Sequence, residues 1–582
     1  MQARPTITDI LRGHAERRGG QTSHVFLADG ETERSRLSFL ELERCAEAVA
    51  QELAARGMRG ERVALVYTQG LEFIAAFFGC LAAGAVAVPI APPRQPEGCA
   101  DALRIIRAAG ARLVLADAPV VDGLSRMLGD AWRAALSIEV LPWLADPAAA
   151  AVRAAGGALH VPAADDLAFL QFTSGSTGDP KGVAVSHGNI VANQLAIERG
   201  FGHGQDTVVV SWLPLHHDMG LVGMVMQPIY LGRPCVLMPP DVFVQRPLRW
   251  LKALSDHRAT TSGGPSFGYR RCLEGISSGD LDSHPDLDLA AWRIAFAGAE
   301  PVRAGELEEF ARVFARVGFD PRAFYPCYGL AEATLMVTGA EAHRPLRTVE
   351  VDPAALGQGR ISDPVGEARL RLVSCGRPWG DDEIVVVDPE TSLPVADESV
   401  GEIWVTGPSV ARGYWERPAE TEEWFAAVCP ARSGERFLRT GDLGFLRDGE
   451  LFITGRVKDL VILNGRNYYP QDIESTVIGL HPAFRRQTAV FVDDDLEQAR
   501  VVLVQEVHPY RASQLDLQAA TDLVRREVGA VHDLRLSEIV FTTSRLPVTT
   551  SGKIRRRACR EAWRAGLLKP VQPQGEAHDR AG

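Results

Sequence analysis

The sequence predicts an α/β protein: a large N-terminal domain of two βαβ-type sheets with a β-rich subdomain, followed by a small α+β C-terminal domain. Three observations carry this expectation. First, the short apolar runs RVALVY (62–67), AVAVPI (85–90) and RLVLAD (112–117) alternate with amphipathic stretches such as LSFLELERCAEAVAQELAARG (37–57). That alternation is the pattern of parallel strands covered by helices. Second, after about residue 370 the texture changes to EIVVVD, GEIWVTG and GELFITG, short strands set off by Gly and Asp-Gly turns. Third, from 470 onward YPQDIESTVIGLHPAF, TAVFVDD, ARVVLVQEV and LDLQAATDLVRREVGA read as a compact α+β domain, and VQPQGEAHDRAG as a polar tail. A chain of 582 residues exceeds one ordinary hydrophobic core, so several domains are expected.

The bulk chemistry narrows the partners. A formal charge of −12 argues against nucleic acid or an anionic membrane as the main partner, since both reward a basic surface. The nine cysteines include no C-x-x-C pair, which fits reduced thiols in a cytoplasmic protein better than a disulfide framework or zinc site. The N-terminus lacks the apolar run of a signal peptide. The uncharged stretch FIAAFFGCLAAGAVAVPIA (73–91) approaches membrane-spanning length, but Gly and Pro interrupt it. It reads as a buried helix followed by a strand, with no stable membrane insertion.

QFTSGSTGDPKGVAVSHGNI (171–190) carries the chemistry. Successive small residues let backbone N–H groups converge on an anion, Ser and Thr hydroxyls add donors, and Lys181 supplies a point charge. The spacing is not that of a Walker A loop, because Gly178 stands three residues before Lys181 and Gly182 follows it. A strand (LAFLQF) precedes it and a helix (SHGNIVANQLAIE) follows, the usual setting of a phosphate loop.

Together with downstream motifs, this loop resembles that of the adenylate-forming superfamily: acyl-CoA synthetases, peptide-synthetase adenylation domains and firefly luciferase. TSGSTGDPKG looks like the phosphate loop, CYGLAEAT (327–334) the adenine and magnesium motif, and RTGDLG (439–444) the ribose motif. GRVKD (455–459) resembles the interdomain hinge and PVTTSGKI (547–554) the catalytic-lysine motif. The resemblance covers nearly the whole chain. WLPLHHDMGLVG (212–223), LVSCGRP (372–378), VGEIWVTGPSVARGYW (400–415) and GRVKDLVILNGRNYYPQDIE (455–474) match best the branch of fatty acyl-AMP ligases.

The resemblance implies an adenylation domain over 1–456 (β-rich subdomain about 370–456), a mobile lysine-bearing domain over 457–570, and a tail over 571–582. It implies ATP and Mg²⁺ as cofactors and attack of a fatty-acid carboxylate on the α-phosphate, giving acyl-adenylate and pyrophosphate. Two anions must meet, so cationic and N–H donors have to offset their repulsion. Thr173, Ser174, Gly175, Ser176, Thr177, Gly178 and Lys181 would hold the β- and γ-phosphates. Glu332 would bind Mg²⁺, a hard cation that takes carboxylate oxygens. Tyr328 and Gly329 would meet adenine, as would Gly298, Ala299 and Glu300 at a strand end, and Thr334 would touch the α-phosphate. Asp442 suits the ribose hydroxyls, because a carboxylate accepts two hydrogen bonds at once. Arg456 would reach ribose or phosphate, and the hinge falls at Lys458. Lys553 would swing in to bridge carboxylate and α-phosphate.

His216, His217 and Asp218 mimic a metal cluster. Taken as one strand, the two histidines point to opposite faces and cannot easily share an ion; the resemblance instead puts His217 beside the reacting carboxylate. Met219, Gly223, Met224 and Phe267 are candidates for an acyl pocket. Arg555, Arg556 and Arg557 read as a solvated face or a docking site for an acidic carrier. The resemblance further implies transfer of the acyl group to the phosphopantetheine thiol of a separate acyl carrier protein, in a polyketide, non-ribosomal peptide or lipid pathway. A long- or medium-chain acyl-CoA synthetase is the alternative. Residues 341–372, punctuated by Gly and Pro, occupy the place of an insertion that in this branch hinders use of CoA.

Overall fold

The structure, a computed structural model, describes residues 5–128, 136–154, 160–174, 179–276, 281, 283–463, 466–493, 500–548 and 554–572. The chain divides into two compact units. The first comprises 1–346, 375–384 and 404–440; the second comprises 347–374, 385–403 and 441–582. The residues of the expected β-rich subdomain are thus shared between the units.

Two sheets organise the first unit. One has eight strands, in the order Met336–Gly339, Phe324–Gly329, Ile294–Ala297, Thr261–Gly264, Val209–Ser211, Cys235–Leu237, Thr22–Leu27, Glu33–Ser38. Its interior pairs are parallel and its two outermost pairs antiparallel. The other has six, in the order Ile138–Val140, Leu113–Ala116, Arg62–Val66, Val86–Pro89, Leu167–Ser174, Pro180–Ser186. The apolar runs of the sequence are the interior strands, which are buried because helices cover parallel sheets on both faces.

The stretch 73–91 resolves as the sequence predicts: a buried helix, Leu71–Ala82, then the strand Val86–Pro89. Among the described residues no helix is long and apolar enough to cross a membrane. Leu71–Ala82 lies close against Phe39–Ala55, whose N-terminus Ser38 and Glu41 close in a capping box. Closeness depends on Gly79: a Cβ there would come within 2.4 Å of the Val49 Cβ.

Strands Glu383–Val387, Gly401–Thr406, Leu438–Arg447 and Glu450–Arg456 form a four-stranded sheet. Residues 347–374 are not an irregular loop. Thr348–Val351 and Leu370–Val373 pair antiparallel, Pro353–Leu356 is a short helix, and Val351, Leu356 and Ile361 bury against Leu443, Phe445, Phe452 and Tyr469. Farther on, Phe484–Asp493, Arg500–Val507 and Glu538–Thr542 make a three-stranded sheet. Helices Pro470–Val477 and Leu517–His532 share a core with it through Ile473, Val477, Val490, Leu503, Val524 and Val528.

Two predictions follow from packing and burial. Gly79→Ala should lower stability by about 1–3 kcal/mol through overpacking. Gly123→Ala, on a helix where a Cβ meets nothing within 4 Å, should raise it by up to about 1 kcal/mol; thermal denaturation of both variants checks this. His24 and His187 are 0% and 1% exposed, and burial drives them down to about 3 and about 4. The unfolded chain therefore takes up protons first as pH falls through about 6.5, so stability falls from there toward pH 4, by up to about 1.4 kcal/mol per pH unit per histidine. A thermal midpoint that declines over this window, with a flatter slope in His24→Gln, is the expected result.

Candidate active site

One helix of the first unit, His187–Phe201, organises the site. It starts where the hairpin Leu167–Ser174/Pro180–Ser186 ends, capped by reciprocal bonds between Ser186 and Asn189. The hairpin sets Thr173 opposite Lys181 and Ser174 opposite Pro180. Gly175, Ser176, Thr177 and Gly178 lie outside the described residues. Along the helix, three amides reach three different segments. Asn189 Nδ2 donates to the carbonyls of Pro408 (2.8 Å) and Val410 (2.9 Å). Asn193, fully buried, donates to Ala333 O and Met336 O and accepts from Met336 N (3.4, 2.9 and 3.2 Å). Gln194 Nε2 donates to Val222 O at 3.2 Å.

The loop that Asn193 holds contains Glu332 and Thr334. Thr334 is buried at φ +69°, a left-handed conformation costing a β-branched residue on the order of 1–3 kcal/mol. Its hydroxyl donates to Ser409 O at 2.7 Å, and Ser409 N donates to the buried Asp382 carboxylate at 3.0 Å. The strain is held from both sides, by Asn193 and by the 407–410 turn.

Residues 412–415 run along Pro180–Ser186 as an added strand: Arg412 N to Ala184 O, Ala184 N to Gly413 O and Trp415 N to Gly182 O span 2.8–3.0 Å. This alignment places Tyr414 between two expected site residues. Its hydroxyl donates to Glu332 Oε1 at 2.9 Å, and the Lys181 ammonium lies 4.9 Å from its ring centroid. Lys181 also forms an ion pair with Glu420, whose carboxyl it holds below the usual range. Lys181, Tyr414 and Glu332 are thus one connected set. A single carboxylate suits Mg²⁺, which keeps waters and substrate phosphates as its other ligands. Among the described residues no group of three His, Cys, Asp or Glu side chains could hold a metal.

Two parallel strand ends stand side by side. Ile294–Ala297 pairs with Phe324–Gly329, so Gly298, Ala299 and Glu300 emerge next to Cys327, Tyr328 and Gly329 at the carboxyl ends, where open α/β sheets bind ligands. Neither Gly298 nor Gly329 has room for a Cβ, which would lie 2.8 Å from Cys327 O and 1.8 Å from Leu335 O. Ala299 adopts φ +64°. Glu300, raised by burial, accepts from Phe267 N at 2.7 Å, and this ties Phe267 to the strand end.

The expectation of a strand through His216 and His217 is corrected: both lie in a turn before a helix, so side alternation does not apply. His217 Nδ1 faces Asp218 Oδ1 at 2.6 Å, and the same oxygen accepts from Met219 N. Burial drives His216 down to about 3, and its carbonyl accepts from Gln171 Nε2 at 3.0 Å. Met219–Met226 is a π-helix, a form concentrated at functional sites, and Gly220 to Met226 are buried. A Cβ on Gly220 would lie 2.1 Å from Pro214 O, whereas one on Gly223 would only touch Leu335 Cδ2 at 3.2 Å. Met224 is 2% exposed within the main core, and Phe267 meets Trp212 edge-on at 5.4 Å.

The second unit carries the remaining residues. Asp442 and Arg456 are register partners on one hairpin, with Arg456 Nε 2.8 Å from Asp442 Oδ1. Lys458 lies in the 3₁₀ turn Val457–Asp459. Arg556 is not on a solvated face: it pairs with Asp459 at 2.6 Å and with Glu474 at 2.7 Å, while Arg557 pairs with Glu561. Lys553 lies outside the described residues; Val548 and Ile554 bridge on either side of it.

A profile of the AMP-binding enzyme family matches residues 11–415. The chain belongs to that family. A second profile, of the AMP domain of Disco-interacting protein 2-like proteins, matches 458–572. The chain is 40% identical to the medium-chain-fatty-acid–[acyl-carrier-protein] ligase JamA of Moorena producens, over 99% of this chain and 98% of the relative. It is 36% identical to the corresponding ligase TtuA of Teredinibacter turnerae, over 97% and 94%. The crystal structure of a fatty acyl-adenylate ligase from L. pneumophila in complex with acyl adenylate and pyrophosphate superposes with a TM-score of 0.75 at 37% identity, covering 97% of each chain.

Within this AMP-binding enzyme, Tyr414, Glu420 and Asn193 escaped sequence reading. VARGYW flags Tyr414 only as part of a motif, and nothing local distinguishes Asn193 from any helical asparagine. Tyr414→Phe should keep the ring under Lys181 and remove the bond to Glu332, worth about 0.5–1.5 kcal/mol. The expected result is a roughly 3- to 10-fold lower kcat/KM for ATP with the thermal midpoint lowered by no more than about 4 °C.

Proposed function

We propose that this chain activates a fatty acid with ATP to an acyl-adenylate, releasing pyrophosphate, and then passes the acyl group to the phosphopantetheine thiol of a separate acyl carrier protein. The observation that carries this reading is the connected set Lys181–Tyr414–Glu332 beside the phosphate-loop hairpin and the strained Thr334. The relatives' names and the adenylate-bound neighbour support the same chemistry.

A carboxylate oxygen attacks the α-phosphorus, the bond to the β-phosphate oxygen breaks, and pyrophosphate leaves. Thr173, Ser174 and Lys181, with residues 175–178, hold the departing phosphates. Lys181 must then exchange Glu420 for phosphate oxygens. Glu332 would hold Mg²⁺, which would supply positive charge to offset that of the phosphates. Thr334 addresses the α-phosphate, its hydroxyl proton leaving Ser409 O for a phosphate oxygen. His217, oriented through Nδ1 by Asp218, presents its imidazole at the carboxylate end. Tyr328 stacks on adenine between Gly298–Glu300 and Gly329, and Asp442 takes the ribose hydroxyls with Arg456 beside it. Lys553 bridges carboxylate and α-phosphate. The acyl chain runs along Met219, Gly223 and Met224 of the π-helix toward Phe267.

Residues 1–456 act as the adenylation domain and 457–570 as the domain that reorients about Lys458 between the two half-reactions. The burial of Val351, Leu356 and Ile361 against Tyr469 supports transfer to a carrier protein rather than CoA, because it ties residues 347–374 to a segment just beyond that hinge. The protein works in the cytoplasm, in a lipid, polyketide or non-ribosomal peptide pathway.

Incubation with ATP, Mg²⁺ and acids from about C8 to C18, a range matched to the reach of an apolar pocket, should release pyrophosphate and yield hydroxylamine-trapped acyl groups. Lys553→Ala should lower that rate by about 10²–10³. Absence of pyrophosphate with every acid tested would sink the reading.

A further inference from the structure

The second unit carries a concentration of positive charge that the adenylation chemistry does not use. Glu506, on strand Arg500–Val507, is 1% exposed. Arg485 Nη1 binds its Oε1 at 2.6 Å and Arg545 Nη1 binds the same oxygen at 3.1 Å. Arg485 Nε also donates to His508 Nδ1 at 3.3 Å, which requires that nitrogen to be unprotonated. Arg511 stacks over the Tyr510 ring at 5.6 Å, and Tyr510 lies 5.1 Å from the His508 ring. Two guanidinium groups therefore share one carboxylate, and a third, Arg511, stands beside them with its Nη1 on Pro482 O at 2.6 Å. His508, the residue at their centre, is held below its usual value by burial and then by Arg485, Arg511 and Arg545, with Glu506 the opposing charge.

The surplus faces outward. The Arg545 side chain is 73% exposed and Tyr510 is 67% exposed, whereas Glu506 is buried and Arg485 half-buried. A chain with a formal charge of −12 concentrates cations here, and long-range repulsion from an acidic macromolecule is locally reversed. The position is chemically apt: Arg545 precedes the bridge between Val548 and Ile554 that brackets the catalytic-lysine motif. Arg555–Arg557, the sequence candidate for this role, is depleted by the internal pairing of Arg556 and Arg557.

We propose that the Arg511–Arg545 face, built on Glu506 and Arg485 with Tyr510 beside it, is the docking surface for the acidic surface of the acyl carrier protein. This rests on the carrier reading above. The complementary charges steer encounter and set register, while the Arg485–Glu506 pair keeps the exposed guanidiniums from collapsing onto the chain.

The test uses the full chain and a purified phosphopantetheinylated carrier protein to which the unsubstituted chain transfers acyl groups. Arg511→Glu/Arg545→Glu should lower kcat/KM for the carrier about 10-fold or more at low salt, with hydroxylamine-trapped acyl-adenylate formation within twofold of the unsubstituted chain. Arg511→Lys/Arg545→Lys should retain most of the transfer, and the rate with the charge-reversed pair should lose its dependence on ionic strength. Carrier transfer at the unsubstituted rate, or an equal fall in both activities, would overturn the docking assignment. So would inhibition of transfer by inorganic phosphate beyond that of chloride at equal ionic strength, which would mark an anion site instead. Failure of the unsubstituted chain to form acyl-adenylate would overturn the underlying reading, not the surface.

Discussion

The amides of Asn189, Asn193 and Gln194 are the contacts on which the site depends. Each donates its amide N–H to backbone of a segment remote in sequence, and Asn193 and Gln194 do so from fully buried positions where an unpaired donor would be costly. One rigid helix thereby fixes the 408–410 turn, the loop carrying Glu332 and Thr334, and the π-helix that begins at Met219. Because the same helix starts at the end of the 167–186 hairpin, the segments proposed to take phosphate, magnesium and the acyl chain share one reference frame. Thr334 can hold a positive φ only because Asn193 and Ser409 constrain it from opposite sides.

The second constraint is electrostatic. Lys181, Glu332 and Glu420 carry net negative charge before substrate arrives, yet the site must admit a nucleotide and a carboxylate. Tyr414 resolves part of this by placing a hydroxyl donor on Glu332 and an aromatic face under Lys181, without adding charge. The ion pair with Glu420 compensates the Lys181 ammonium at its half-buried position.

Much of this was legible beforehand. The interior strands are continuous apolar runs because both faces of a parallel sheet are covered, and runs such as RVALV and LVLA carry that signature without neighbours. The phosphate-loop spacing excluded a Walker A motif from residue order alone. The stretch 73–91 divided at Gly84 as read. Less was legible where pairing is non-local. His216 and His217 looked like strand residues until the turn was seen, and Arg556 looked solvated beside two other arginines although it closes on Asp459 and Glu474. In residues 347–374 the Gly and Pro punctuation was legible, but the antiparallel pairing of two strands of only four residues each was not.

The sequence by itself determined the alternation of strands and helices and the order of the motifs, since these reside in local periodicity and spacing, and the resemblance of those motifs pointed to the family. Only the tertiary structure decided that Tyr414 joins Lys181 to Glu332, that Asn193 holds the strained loop, and that Arg485 and Arg545 converge on Glu506. An asparagine on a helix or an arginine on a strand has the same local pattern whether water or a distant carboxylate satisfies it. The choice is made by the packing that removes water from one and not the other.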